Sequence, residues 1–484
     1  MLEPPDLKRV SAAETVPQVR RIPLPPRSTT VAISALIIVL AIGIVGILWW
    51  QPSRQAPALP LPDRPSIAVL PFDNRSSDQR LGRLADGMVE DIIIDLSHFR
   101  EFFVIARTSS FVYRNKPADV RQVGRELGVR YVLEGSVQPS QNELSVSARL
   151  IDTTTGTLVW SQAYNGPLDN LFAVQADIAS RIAGSIGGAP GALRRAVLDV
   201  AHRRSPQSLE AYDLFLLGNE ARLRLTKEDH YKAMELLRKV VALDPTFEPA
   251  HVALAFGYWI EVDYSWAPFQ SAMDGWLKEA QQAVDLDPGD ALGHVALGLR
   301  YGYAGDFDRN AAEFDTALRA NFNDPDALSL IGGQLPWLEP PGRAVELVER
   351  AQRLNPLASK ISHMSKLAYY FAGDFEKAIA KCKAHGDLNF FDYEYLALSY
   401  GELGRLDEAR ANTAIVLRLR PLFSGEWALT YLGEFAPAAA VNRALFLDGL
   451  TKAGLPHCAT AQQIAANPGI KHLAECDAAR SKSN

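Results

Sequence analysis

The carboxy-terminal half of the chain, from about residue 209 to 421, repeats one sequence pattern six times. Each copy has an apolar helical stretch, a short turn, a second helical stretch with a small residue early in it, and a closing proline. The closing positions are Asp244-Pro245, Asp287-Pro288, Asp324-Pro325, Asn355-Pro356 and Arg420-Pro421, and the last interval holds two copies. A helix pair repeated at this period predicts a helical solenoid, because each pair can bury its apolar face only against its neighbours.

The copy at residues 291–321 shows the pattern most clearly. Leu297 and Tyr301 lie four residues apart, so they share one face of the first predicted helix. The Gly305-Asp306 dipeptide supplies the turn, since glycine tolerates a positive φ and aspartate caps the following helix. Phe314 then faces back onto the first helix. This combination resembles the tetratricopeptide repeat, whose stacked helix pairs imply a concave surface that binds protein or peptide ligands.

One part of the array departs from regularity. In one copy the first helix meets Pro336, Pro340 and Pro341, and we expect this helix to be short or kinked because proline lacks a backbone donor. The repeats are predicted over residues 205–421. Residues 422–484 then predict a helical cap followed by a tail.

Residues 29–50 form an uncharged apolar stretch that ends in Trp49-Trp50. About 20 such residues can cross the hydrocarbon of a bilayer as a helix, and tryptophan favours the interface. The stretch exceeds the roughly 7–15 apolar residues of a cleaved secretory signal. We therefore predict one transmembrane helix over residues 29–50, which attaches the chain to a lipid bilayer.

Positive charge flanks this apolar stretch unequally. Only Arg54 and Arg64 follow it closely, whereas five cationic residues precede it: Lys8, Arg9, Arg20, Arg21 and Arg27. The positive-inside rule therefore places residues 1–28, a segment expected to be disordered, in the cytoplasm. The rest of the chain is predicted to lie on the other side of the membrane, on a proline-rich tether at residues 51–65.

Residues 66–187 predict a separate α/β unit. Short apolar and alternating stretches indicate five strands, and the order of elements is β-α-β-α-β-β-β-α, with a hairpin turn at Thr155-Gly156. This order implies a small sheet with helices packed on it. Asp91 and Asp95 lie four residues apart in the first helix, and we interpret them as a solvated helix face.

Several motifs of the α/β unit are distinctive. The unit opens with Ser66-Ile67-Ala68-Val69-Leu70-Pro71-Phe72, continues with Ala85-Asp86-Gly87-Met88, and later has Tyr131-Val132-Leu133-Glu134-Gly135-Ser136. These motifs resemble the TolB-like amino-terminal domain that stands next to tetratricopeptide repeats in bacterial proteins. The resemblance covers about residues 65–456. It implies a bacterial protein, so the membrane that the predicted single-pass helix crosses is the inner membrane, and the bulk of the chain is expected in the periplasm.

Proteins of this resemblance often begin with a class III adenylate cyclase domain or a winged-helix DNA-binding domain. Residues 1–28 are too short for either and hold six prolines. The sequence therefore predicts a relative of the adenylate-cyclase-associated type that lacks both domains. The net charge of −6 and the absence of a basic block also argue against a nucleic-acid partner.

The sequence offers no catalytic residue, cofactor site or metal site that we can assign. His251, His294 and His363 fall in first helices of repeats, where a packed or solvent-facing histidine is the expected role, and no cluster has metal-ligand spacing. Gly135-Ser136 lacks the second glycine of a nucleophile elbow, and no phosphate-binding glycine loop is present. We predict that the protein is not an enzyme and has no small-molecule substrate.

Aromatic and cationic side chains crowd two neighbouring repeats. Aromatic rings and arginines commonly anchor a bound peptide and its carboxylates. Residue type alone does not separate the groove from the back of a solenoid, and most of these side chains are equally consistent with inter-helix core. The residues that we single out as partner-binding are Tyr258, Trp259, Tyr264, Trp266, Arg300 and Tyr301.

The chain has three cysteines, an odd number that implies no disulfide framework. Cys382 falls at an apolar position of a repeat helix, so we expect it to be buried. Cys458 and Cys476 flank the last segment. They can pair in an oxidising compartment, and both the paired and the free state remain open.

Two functions follow from these patterns. The first is a membrane-anchored, non-catalytic scaffold that binds protein or peptide partners on the solenoid. The alternative is a sensory or regulatory component of an adenylate-cyclase-type signalling system, which the shared architecture suggests. Turnover of a nucleoside triphosphate would contradict the first, and an unchanged cyclic nucleotide level after deletion would contradict the second.

Overall fold

The structure is a computed structural model that describes residues 59–483, except for gaps at 117–118, 141–142, 168–169, 187–207, 223, 225, 358–361, 385–387, 432–433 and 467–469. The predicted cytoplasmic segment, the predicted transmembrane helix and most of the predicted tether lie outside the described residues. Among the helices that are described, none has the length and apolar character needed to cross a bilayer.

A mixed β-sheet organises the first region. Its strands are β1 Ser66–Val69, β2 Asp73–Asn74, β3 Phe103–Val104, β4 Tyr131–Ser140, β5 Glu143–Asp152 and β6 Thr157–Gly166. The strand order is β3-β1-β4-β5-β6, and the short β2 continues the line of β1 along β4. β1 runs parallel to β3 and β4, whereas β4, β5 and β6 are antiparallel neighbours.

The helices of this region are α1 Gln79–Ser97, α2 Arg107–Ser110, α3 Val120–Leu127 and α4 Leu171–Ile186. Together with the sheet they form the α/β region. Local signals explain their ends, since Asp119 caps α3 and Gly128 ends it in the left-handed conformation at φ 65°. The sequence missed β2 and α2, which are too short for their periodicity to show.

The interpretation of Asp91 and Asp95 as a solvated face is wrong for Asp95, whose exposed fraction is 1%. The reason is tertiary, because α1 packs against α4 and against the first helix of the repeats. At this contact the Tyr212 hydroxyl of the repeats donates a hydrogen bond to Asp91. A helix face that looks polar in sequence is thus covered by another part of the chain.

Six antiparallel helix pairs follow and form a solenoid, as the sequence predicts. The pairs are α5 Leu209–Arg222 with α6 Lys227–Leu243, α7 Glu248–Asp263 with α8 Phe269–Leu286, α9 Ala291–Tyr303 with α10 Phe307–Ala320, α11 Pro325–Gln334 with α12 Gly342–Leu354, α13 Ser362–Phe371 with α14 Phe375–Cys382, and α15 Phe390–Glu402 with α16 Leu406–Leu419. The C-terminal cap then has α17 Gly425–Tyr431, α18 Ala440–Ala453, α19 Ala461–Ala466 and α20 Ala474–Ser483.

Glycines make these pairs tight. A Cβ atom at Gly298 in α9 would lie 2.8 Å from the ring of Phe314 in α10, so the two helices meet at this glycine. Gly305 adopts φ 78° in the turn between them. The expected short helix is also present, because α11 ends at Gln334 and passes into a 3₁₀ turn that contains Pro336.

The α/β region packs against the loops that end the helix pairs. Asn321, at the end of the third pair, donates its side-chain amide to Ser97 Oγ at 2.8 Å. Asn323, two residues later, donates to the carbonyl oxygen of Phe99 at 3.0 Å. Both acceptors lie at the end of α1, so the last turn of this helix is bonded to the solenoid.

Asn355, at the end of the fourth pair, makes a second contact with the α/β region. Its amide nitrogen donates to Thr108 Oγ1 at 2.6 Å, and its carbonyl oxygen accepts from Ser109 Oγ at 2.5 Å. The backbone amide of Ala106 also donates to the carbonyl oxygen of Leu354 at 2.9 Å. Asparagine suits this position because it presents a donor and an acceptor together.

Asn355→Ala should lower the free energy of unfolding by about 1–3 kcal/mol, because it removes the partner of the buried Ser109 hydroxyl as well as the hydrogen bond to Thr108. Hydrogen exchange should then rise at residues 106–110. The matched control is Asp287→Ala, since Asp287 ends the second pair and its carboxylate accepts from the Gly289 amide of its own turn. Equal exchange at residues 106–110 in both variants would contradict the contact.

Two contacts hold the segments of the C-terminal cap to one another. Cys458 and Cys476 form a disulfide, which settles the alternative that the sequence left open. Glu426 in α17 is fully buried and accepts two hydrogen bonds from the Arg480 guanidinium, each at 2.9 Å. Cys382 is buried and free, as expected.

The disulfide predicts a specific thiol count. Protein isolated without reductant and then unfolded should react at one thiol, that of Cys382, and reduced protein should react at three. In the folded state Cys382 should react slowly, because burial raises the pKa of its thiol to about 12. Three reactive thiols in the unreduced, unfolded chain would exclude the disulfide.

Candidate protein-interaction site

Tyr264 and Trp266, two of the predicted partner-binding residues, lie together at the end of α7. Their ring centroids are 4.8 Å apart, and Tyr264 also makes an edge contact with Phe391 at 5.8 Å. The Trp266 ring lies 5.2 Å from that of His230. Burial raises the pKa of the Tyr264 hydroxyl to about 12, so it remains a neutral donor.

Trp259 belongs to a buried hydrogen-bond chain. Its indole nitrogen donates to the Tyr303 hydroxyl at 3.0 Å, and Tyr303 donates to an Asp263 carboxylate oxygen at 2.7 Å. Burial raises the pKa of Asp263 to about 7, although Tyr303 and Arg420 oppose that shift. The polar groups of Trp259, Tyr303 and Asp263 are thus hydrogen-bonded to one another, and Trp259 is only partly exposed.

We call the group of Tyr264, Trp266, Phe391 and His230 the Tyr264 cluster. The structure does not bring Tyr258, Arg300 and Tyr301 into this cluster. Tyr258 lies under the Arg238 guanidinium, at 5.8 Å from its ring centroid. Arg300 donates to the carbonyl oxygen of Met273 at 2.8 Å, and Tyr301 lies under Arg309 at 4.4 Å. Tyr264 and Trp266 therefore lie together, whereas the other four predicted residues make their contacts elsewhere. The role of all six in partner binding stays a prediction.

Arg420 explains why the Tyr264 cluster is crowded. Its guanidinium donates to the carbonyl oxygen of Asp263 at 2.5 Å, a residue 157 positions earlier in the chain. It also lies within 4.6 to 5.8 Å of four ring centroids, those of Tyr264, Phe390, Phe391 and Trp427. The second helix pair and the end of the sixth therefore meet here, and the chain's own side chains fill the space between them.

Histidines of the first helices are hydrogen-bonded inside their own repeats. In α9, His294 Nδ1 lies 2.6 Å from a Glu313 carboxylate oxygen and Nε2 lies 3.0 Å from the Pro288 carbonyl oxygen. Burial disfavours the charged ring, but these acceptors outweigh it and raise the pKa of His294. His251 repeats the arrangement with Glu279 and the Pro245 carbonyl oxygen. The packed role, one of the two expected for these residues, is confirmed.

A groove opens at the turns between paired helices, where the third and fourth pairs meet the C-terminal cap. Its volume is about 720 Å³. We call it the turn groove and define it by six of its lining residues: Phe307, Asp308, Ala311, Leu338, Glu339 and Ala436. Its lining combines apolar side chains of alanine, phenylalanine and leucine with an almost equal share of polar surface.

Charge at the turn groove is mostly acidic. Asp306 lines it and pairs with Arg309, and the one lining cation, Arg343, pairs with Asp315 at 2.6 Å. Among the described residues, no cation forms an ion pair with Asp308 or Glu339. An apolar floor beside two carboxylates of this kind favours an apolar side chain that is followed by a basic one.

The turn groove is not predicted by any sequence pattern. Asp306 and Phe307 stand in the Gly305-Asp306-Phe307 motif, which gave only a turn and a cap, and Ala436 lies 129 positions beyond Phe307. No local pattern joins these residues. The one available signal was the exposed Ala311-Ala312 pair on a helix that is otherwise polar outside.

The comparisons with known proteins match different parts of the chain. Residues 63–181 match a family model described as the second domain of HilA/YgeH-like transcriptional regulators. This match spans the α/β region. It covers about a quarter of the chain and therefore describes that region alone.

One relative among curated proteins is named "Putative adenylate cyclase 3", from Rhizobium meliloti (strain 1021). It is 37% identical over 268 residues, which span 52% of this chain and 44% of the relative. The chain thus spans less than half the length of that protein. The activity in the relative's name is not transferred by this overlap.

Two solved structures match parts of the chain at low similarity. A thermophilic TPR protein of Thermus thermophilus is 19% identical, covers 50% of this chain and 99% of its own, and has a TM-score of 0.25. TolB from Acinetobacter baumannii is 18% identical, covers 27% of this chain and 29% of its own, and has a TM-score of 0.20. Similarities at this level carry no argument about function. The fold itself is a mostly helical solenoid, whose helix pairs resemble tetratricopeptide repeats, with a small sheet region.

Proposed function

We propose that the chain is a membrane-anchored, non-catalytic scaffold that holds a segment of a partner protein in the turn groove. The observation that supports this most is the groove itself, with its apolar floor and the carboxylates of Asp308 and Glu339. The aromatic residues singled out from the sequence are less favoured as the binding surface, because several of them are engaged by their own chain.

The chemistry of the groove selects its occupant. An extended segment with a leucine-like side chain next to lysine or arginine would place the apolar group on Ala311 and Leu338 and the cation beside Asp308. Binding of this kind makes and breaks no covalent bond. The repeat fold supplies the rigid frame on which such a surface is held.

Fluorescence anisotropy with the full-length chain tests this occupant. A labelled peptide with a Lys-Leu-Leu-Lys core should bind, and its Glu-Leu-Leu-Glu counterpart should bind at least tenfold more weakly. Ala311→Arg should weaken binding of the first peptide at least tenfold, because the new side chain fills the groove. Ala312→Arg is the matched control: it adds the same group at the next exposed position, which does not line the groove. Equal affinities of the two variants would contradict the proposal.

Membrane attachment through residues 29–50 is a separate part of the proposal. The disulfide between Cys458 and Cys476 supports a periplasmic location for the bulk of the chain, since disulfides persist in oxidising compartments. A reporter that is active only in the periplasm, fused after residue 484, should be active. Activity of a cytoplasm-only reporter at the same position would contradict this topology.

A second candidate function is regulation of an adenylate cyclase. The relative named as an adenylate cyclase supports it, since 268 aligned residues are 37% identical to this chain. Under this proposal, deletion of the gene should change cellular cyclic AMP and the chain should co-purify with a cyclase. An unchanged cyclic AMP level together with the lack of a co-purifying cyclase would exclude it.

A further inference from the structure

Four arginines converge where the α/β region meets the fourth helix pair. Arg64 precedes β1 and Arg100 follows α1, whereas Arg350 and Arg353 belong to α12. Arg64 Nη2 and Arg350 Nη2 both donate to one atom, the side-chain oxygen of Asn323, at 3.0 and 3.1 Å. Two guanidinium groups from different parts of the fold therefore share a single neutral acceptor.

Phe322 holds two of these cations in place. The Arg350 guanidinium carbon lies 3.3 Å from the centroid of its ring, and that of Arg100 lies 5.1 Å from the same centroid. Arg64 also donates to the carbonyl oxygen of Arg100 at 2.5 Å. Ring stacking and backbone contact fix the positions of the cations without neutralising them.

Arg64 and Arg350 are partly buried, whereas Arg100 and Arg353 are exposed. In the part of the chain that the structure describes, none of the four arginines forms an ion pair with an aspartate or glutamate. The nearby acidic group is Glu101, whose charge acts on Arg64. The repulsion among these cations acts on Arg350. Burial and the charges of Arg64, Arg353 and Arg100 lower its pKa to about 10.

Arg350 also has donor capacity left over. Its Nε atom is buried and has no hydrogen-bond partner among the described residues. A buried donor without a partner is costly unless a ligand or water satisfies it. The unused donor and the unneutralised charge lie on the same guanidinium group.

We propose that this cluster binds a phosphate-bearing anion at the junction between the α/β region and the solenoid. The planar guanidinium group can donate two parallel hydrogen bonds to the oxygens of a phosphate group. Proteins commonly bind one such anion with several arginines. The anion contacts Arg64 and Arg100 on one side and Arg350 and Arg353 on the other. Its binding stabilises the junction, independently of what the turn groove holds.

Calorimetric titration and thermal melting of the full-length chain test the site, with inorganic pyrophosphate as the probe at constant ionic strength. Pyrophosphate should bind and raise the melting temperature above that in matched chloride. Arg350→Gln should abolish the response, and the exposed Arg353→Gln should weaken affinity about tenfold, the loss expected for one charge-assisted contact. Arg410→Gln is the control, since Arg410 is 71% exposed in α16 and remote in sequence from the cluster.

The outcomes are distinct. No response of the wild-type chain to any phosphate compound beyond that to chloride would overturn the proposal, as would equal responses of Arg353→Gln and Arg410→Gln. Circular dichroism of Arg353→Gln verifies that the fold is retained. The phosphate group can belong to a lipid headgroup or to a soluble compound. Dihexanoyl phosphatidylglycerol below its critical micelle concentration, with dihexanoyl phosphatidylcholine as control, distinguishes these two sources. A response to the former that exceeds the response to pyrophosphate assigns a lipid headgroup, and the reverse assigns a soluble phosphate compound.

Discussion

Lys366→Met should lower the free energy of unfolding by about 3–5 kcal/mol, the usual cost of removing one partner from a buried ion pair. Lys366 in α13 and Asp392 in α15 have no exposed side-chain surface, and Lys366 Nζ lies 2.5 Å from Asp392 Oδ1. Asp392 also accepts from the Asn389 amide at 2.9 Å and so helps to cap α15. Without Lys366 the carboxylate would remain buried with its positive partner gone.

A matched surface pair makes this prediction specific. Lys239 and Glu235 also lie within hydrogen-bond distance, at 2.6 Å, but their side chains are more than half exposed. Lys239→Met should therefore change stability by at most about 0.5 kcal/mol. Urea denaturation of both variants decides the matter, and equal losses would contradict the assignment. Adding Asp392→Asn to Lys366→Met should recover part of the loss, because it removes the uncompensated charge.

Glu426→Gln should release the segment of α19 and α20 from α17, within the C-terminal cap, at a cost of about 3 kcal/mol. The two carboxylate oxygens accept from the backbone amides of Ala459 and Leu473, each at 2.8 Å, as well as from Arg480. The loss should appear as faster hydrogen exchange at residues 459–480. Asp477→Asn is the control, because Asp477 also bonds Arg480 but is mostly exposed, and it should have little effect.

The same carboxylate gives a pH dependence with a defined sign. Burial opposes ionisation of Glu426, but Arg480 and the two amides outweigh it and lower its pKa to about 2. The pKa is therefore lower in the folded state than the ordinary value of 4.5. The stabilisation is present above pH 4.5 and is lost as the pH falls through 2. The quantity to measure is the protection of the amides at residues 459–480 against hydrogen exchange, relative to the unfolded chain at the same pH. Protection that stays constant from pH 4.5 to 2 in the wild-type chain would contradict this dependence.

Much of the local structure could be read from the sequence. The helix pairs, the caps at Asp119 and Asp306 and the short helix before Pro336 follow from residues close to one another in the chain. Helical periodicity and capping act over a few residues, so their signals survive in a single sequence. The expected burial of Cys382 follows from the same kind of signal.

The features that define the candidate sites depend on distant residues. Asn355 looks in sequence like a variant of the aspartate that closes a repeat, and Asn321 belongs to no motif, yet in the fold the amides of both bond the α/β region. Arg420 looks like another closing residue, yet it meets Asp263. Periodicity carries no information about which loops or faces meet across the fold. The turn groove and the arginine cluster are both made by such meetings and were missed for that reason.

The most direct test of the scaffold proposal is site-specific photo-crosslinking in living cells. A benzophenone side chain replaces Asp308, which is exposed and lines the turn groove, and in a matched variant it replaces Ala312, which is exposed and does not. The account predicts a discrete protein adduct from position 308 that is absent from position 312 and disappears when Ala311→Arg is added. Identical adduct patterns from both positions, or no adduct from position 308, would contradict the claim that the turn groove holds a partner protein.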